Sequence, residues 1–178
     1  MPHIPYRSEG DIEIEELVAM IRSRRGGDIL NLDRMLLHSP PFAKGWNSLL
    51  GSTRRELQLA APIRELVVCA IARMTDTNYE WRQHAPLFLK GGGTQGQLDA
   101  LSDVAAAIAN TGLFNEKERA ALQVAMESTR SVRVAPESIA RAVKLFGERQ
   151  TVELVATVAA YNMVARFLQG LGVDEKGE

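Results

Sequence analysis

The chain has one cysteine, Cys69, in 178 residues, which excludes an intrachain disulfide and any CxxC redox or zinc motif. Aromatic residues make up only 6 %. Charge of one sign is also lacking: 21 Lys and Arg face 22 Asp and Glu, a net charge of −1, with acids and bases interspersed. With no basic tail, long Lys/Arg run or C2H2 spacing, nucleic acid is not an expected partner. The three histidines have no ligand spacing such as H-x-x-x-H, so no metal is expected. Uninterrupted apolar runs fall far short of a membrane span. MPHIPYRSEGD lacks the basic-then-apolar order of a signal peptide. The expectation is a cytoplasmic protein with no membrane partner.

What is present is helical periodicity. Ile14, Leu17, Val18 and Ile21 sit at i, i+3, i+4, i+7 and predict a helix over 12–24, stopped by Gly26-Gly27. Further helices are expected at 29–37 and, after Ser39-Pro40-Pro41, at 42–51. Pro62 opens one through Met74, and Thr77 to Lys90 forms the next, ended by Gly91-Gly92-Gly93. Thr94 with Gln97, and Asn115 with Glu118, are capping-box patterns for helices at 95–110 and 116–130. Pro136 starts 136–146, Gly147 ends it, and a last helix covers 149–169. No run alternates well enough to be a strand. The fold class predicted is all-α, a single domain over 12–172, with an arm at 1–11 and a tail at 173–178. The last helix is apolar nearly all round, from Val152 to Leu171, which suits a core or a subunit interface. A homo-oligomer is therefore expected.

Candidate chemistry lies in TDTNYEWRQHAPLF, residues 75–88. On one straight helix, Glu65 and His84 would lie about 28 Å apart. Thr75 to Asn78 are weak helix formers that favour caps and turns, and a fold-back there would let the two side chains approach. Glu80 and His84 are i, i+4 and share a face. Glu65, Glu80 and His84 are the candidate catalytic set. Structural readings stand beside it. Thr77-Asn78-Tyr79-Glu80 also fits a capping box. Glu65 in a first turn complements the helix dipole. Tyr79 and Trp81 suit packing, and Cys69 a buried small hydrophobe. Arg64, Arg73 and Arg82 lie near enough in sequence to grip an acidic substrate through a bidentate fork, or to form surface ion pairs. Pro86 removes a helical donor two residues after His84.

The segment RELVVCAIARMTDTNYEWRQHAPLFLKGG resembles the core of the carboxymuconolactone decarboxylase family, which also contains the AhpD-like alkylhydroperoxidases. The shared pattern is a helix beginning R-E-L, a turn, Y-E-W-x-x-H and then glycine. The later helix, with Glu153 and Tyr161-Asn162-Met163-Val164-Ala165-Arg166, resembles the long branch that lacks the redox cysteines, and the resemblance covers roughly residues 35–172. It implies an AhpD-type helical bundle assembled as trimers or hexamers. The peroxidase branch carries C-x-x-C-x-x-x-H, and counting back from His84 places Thr77 and Glu80 where its cysteines stand. The resemblance thus carries over Glu65 and His84 but not the thiol mechanism.

What it implies is a cofactor-free, metal-free lyase or acid–base enzyme of aromatic compound catabolism, acting on a small carboxylated or lactone substrate. His84 would be the acid or donor, Glu65 or Glu80 would set its tautomer, and Arg64 or Arg82, with Tyr79 and Trp81, would contact substrate. The alternatives are AhpD-like peroxidase activity, disfavoured by the missing thiols, and a non-catalytic oligomeric binding protein.

Overall fold

The computed structural model describes residues 2–174; Met1 and residues 175–178 of the expected arm and tail lie outside the described residues. All regular elements among those described are helices, with no strand among them. They pack as two compact units, 2–56 with 167–174, and 57–166.

In the smaller unit a 3-10 turn, Ile12–Ile14, capped by Asp11, leads into α1, Glu15–Arg25. Ile14, Leu17, Val18 and Ile21 are all buried, as their spacing predicts. α2 is Asn31–Leu36 and α3 is Pro40–Arg55. α3 starts two residues before the predicted 42–51 and ends four after it, since Pro40 is itself helical at the first position. Asp33 is fully buried and paired with Arg24 and Arg25, and its carboxylate also accepts the Leu30 N–H at 3.0 Å. Phe42, Trp46 and Phe167 stack with ring centroids 5.2–6.1 Å apart. The start of the chain is tied down: the His3 N–H donates to Leu171 O at 2.9 Å, and the Tyr6 hydroxyl meets the Asp174 N–H at 3.1 Å.

The larger unit holds α4, Ala61–Met74; α5, Asn78–Lys90; α6, Gln95–Ala100; α7, Val104–Ala109; and α8, Glu116–Ser131. It also holds most of α9, Pro136–Leu171. α4 is its centre, with every residue from Glu65 to Ala72 buried. α4 packs on α5 and α8, and α7 packs on α8. Both capping boxes form, through Thr94 with Gln97 and Asn115 with Glu118.

The single helix expected at 95–110 is two. Asp103 caps a new helix by accepting the N–H groups of Ala105 and Ala106 at 3.0 and 3.1 Å. Gly147 breaks α9 as predicted, with φ of 79° and ψ of 166°, which glycine adopts at little cost. The broad apolar surface of α9 is mostly buried, but Val152 is 69 % exposed, and Ala156 and Ala159 share its open stripe. By length and composition α9 passes as a membrane span, which uninterrupted runs do not reveal because polar residues punctuate it; its most apolar stretch is 61 % buried within the protein.

Candidate functional site

The site grows from the junction of α4 and α5. Thr75 still makes the helical bond to Ile71 O at 2.9 Å, and α4 ends because Asp76 takes φ of 51°, a left-handed conformation that turns the chain. The Thr77 N–H returns to Ala72 O at 2.9 Å. The two helices then run back along each other, which places residue 84 beside residue 65.

His84 Nδ1 and Glu65 Oε2 lie 2.6 Å apart, with side chains 4 % and 7 % exposed. This is a short, charge-assisted contact shielded from water. The ring of Tyr161, from α9, meets the imidazole edge-on at 5.0 Å and 88°. The other Glu65 oxygen, Oε1, accepts from Arg64 Nε at 3.1 Å. Burial pushes the Glu65 carboxyl up, but the His84 hydrogen bond and the charges of His84 and Arg64 outweigh it. The net result is a pKa below the ordinary value.

Glu80 is buried one turn before His84. The capping box proposed for Thr77-x-x-Glu80 lacks its threonine half: Thr77 Oγ1 lies 2.9 Å from Thr75 Oγ1 and gives no side-chain cap. Cys69 is fully buried, as its apolar neighbours predict. Burial, with the charges of Glu65 and Glu80 partly offset by Arg73, pushes its thiol up to about 12.

The residues expected to contact substrate separate. Arg64 is engaged by Glu65, Tyr79 is buried, Arg82 is exposed and Trp81 is half-buried. Sequence reasoning did not foresee that the Arg73 guanidinium lies 3.5 Å above the Trp81 ring. Nor did it assign Tyr161 to the site. Its position two turns after Glu153, on the face of α9 that is buried, was the available signal. Among the described residues no three His, Cys, Asp or Glu side chains gather closely enough to hold a metal ion. Gly93, after α5, serves packing: a Cβ there would lie 2.3 Å from the Phe88 ring, which is buried.

Residues 40–127 match the sequence profile of the carboxymuconolactone decarboxylase family. Residues 40–127 are thus a segment of the carboxymuconolactone decarboxylase type. No curated protein matches the chain. Among solved structures, the chain is similar to an uncharacterized peroxidase-related protein from Silicibacter sp. TM1040. The TM-score is 0.79 and the identity 13 %, over 98 % of this chain and 92 % of that one. An alanine variant of the debrominase Bmp8 in complex with 2,3,4-tribromopyrrole gives 0.77 and 14 %, over 98 % and 91 %. A protein of unknown function from Agrobacterium tumefaciens, provisionally described as the antioxidant defence protein AhpD, gives 0.71 and 15 %, over 81 % and 97 %. At these identities the likeness is one of fold, and it establishes the AhpD-like all-α architecture.

Proposed function

We propose that this protein is a cofactor-free acid–base enzyme of the carboxy-lyase type, acting in the cytoplasm on a small carboxylated or lactone substrate of aromatic catabolism. The observation that carries the reading is the buried 2.6 Å contact between His84 Nδ1 and Glu65. A carboxylate accepting the Nδ1 proton fixes the tautomer and makes Nε2 the nitrogen that exchanges a proton. In a decarboxylation, the bond from the substrate carbon to its carboxylate breaks and carbon dioxide leaves. The electron pair delocalises onto a neighbouring carbonyl, and His84 delivers a proton to the carbon. Glu80 lies one turn before His84 on α5 and is buried with it.

The peroxidase-related, AhpD-described and debrominase structures make thiol chemistry the competing idea for this fold. It is disfavoured because Thr77 and Glu80 occupy the positions of the two cysteines and the Cys69 thiol is held at about 12. The exposed Val152 stripe of α9 supports a homo-oligomer, trimeric or hexameric, as the working assembly.

The test begins with a thermal-shift screen of small lactones and aromatic-pathway acids, followed by turnover of the hits. His84→Asn should lower the rate by about 10²–10⁴-fold with the fold intact. Full activity in that variant would end the acid–base reading.

A further inference from the structure

We propose that Arg73 and Trp81 form a carboxylate-binding clamp at the turn end of the α4–α5 hairpin. Arg73 is in the last turn of α4 and Trp81 in the first turn of α5, so the fold-back that joins Glu65 to His84 also brings these two together. The guanidinium carbon lies 3.5 Å from the centre of the indole ring, a stacking distance. The indole is a fixed platform, packed against the core cluster that includes Leu66, Cys69, Ala85 and Phe88.

Arg73 is exposed, and its guanidinium stacks on Trp81 rather than pairing with a carboxylate, in contrast to Arg64, which Glu65 holds at 3.1 Å. With its carbon over the ring and its residue exposed, the guanidinium has N–H groups to offer a planar carboxylate, which the planar fork matches with two parallel hydrogen bonds. Immobilising the fork before the ligand arrives removes part of the ordering cost of binding.

Placement gives the clamp its direction. Glu65, Cys69 and Arg73 repeat at i, i+4, i+8 and lie on one face of α4. Eight residues of helix separate Glu65 from Arg73, about 12 Å. The positive charge of Arg73 acts on the Cys69 thiol between them, so its field reaches into the seam. The ligand's identity as a substrate rests on the acid–base reading; the binding itself does not.

The experiment follows the Arg73 Nε–H and Trp81 indole N–H resonances by ¹⁵N NMR during titration with benzoate, with its neutral counterpart benzamide, and with inorganic phosphate. Benzoate should give saturable shifts at both groups at millimolar concentrations, and benzamide and phosphate should not saturate. Arg73→Gln, a change at an exposed position, should abolish the benzoate response. Arg73→Lys, which keeps the charge but loses the planar fork, should weaken it. His84→Asn should leave it unchanged, so a failure of the catalytic reading remains distinct from a failure of the clamp. No saturable response to benzoate, an equal response in Arg73→Gln, or phosphate binding as tightly as benzoate would each overturn the proposal.

Discussion

Replacing Glu65 by Gln tests the pair at the centre of the site without needing a substrate. The carboxylate bonds His84 at 2.6 Å through one oxygen and Arg64 at 3.1 Å through the other, both nearly out of water. Gln keeps the shape and one neutral acceptor but loses the charge that both partners engage. Hydrogen bonds to charged groups contribute about 1.5–3 kcal/mol against about 0.5–1.5 for neutral ones, so the loss should be about 1–3 kcal/mol. In a chain of this size that corresponds to a fall in Tm of about 2–12 °C. His84→Asn should cost a similar amount. The double variant should fall well short of the sum, because the two residues share one interaction.

The pH dependence has a defined sign. The Glu65 carboxyl is held below its ordinary pKa, so the folded state gives up that proton more readily than the unfolded chain. Its contribution is complete above the ordinary carboxylate range and is lost as pH falls through the lower folded value. The Tm gap between wild type and Glu65→Gln should therefore be widest near neutrality and close in acid. Thermal melts at a series of pH values measure it. A constant gap across that series, or strict additivity in the double variant, would refute the reasoning.

Gly93→Ala places a Cβ 2.3 Å from the ring of Phe88, which is buried in the core cluster. Overpacking of this kind costs about 1–3 kcal/mol, and a melting curve should show Tm lowered by several degrees. Val132→Gly should act in the opposite direction. Val132 is 82 % exposed and sits at φ of 63°, where a β-branched residue is strained by about 1–2 kcal/mol that glycine avoids. Urea denaturation should show its midpoint raised.

The site was legible where backbone chemistry dictated the outcome. Thr75 to Asn78 are poor helix formers, which marks the turn, though spacing alone does not require that it bring Glu65 to His84. The helix ends at Thr94 and Asn115 were readable for the same reason, since a side-chain oxygen three residues from a Gln or Glu is a local signal. Asp103 was an equally local signal, passed over because the apolar periodicity on either side of it runs on without interruption. Other features depended on tertiary placement. Thr77 had two partners within reach, and the structure gives its hydroxyl to Thr75 instead of to the first turn of α5. Arg73 over Trp81, and Tyr161 against His84, join different helices, and no spacing rule in one strand of sequence encodes such an encounter.

Glu153 of α9 accepts the backbone N–H of Leu59, two residues before α4 begins, at 2.8 Å. The bond closes a loop of 94 residues, whereas the Glu65–His84 contact closes one of 19. Chain entropy makes the short loop the earlier to form and leaves the long one waiting for the last helix. The Leu59 amide is therefore a clock for the end of folding. In pulse-labelling hydrogen exchange it should gain protection with α9 and after the amides of the α4–α5 hairpin, although it lies next to that hairpin in sequence.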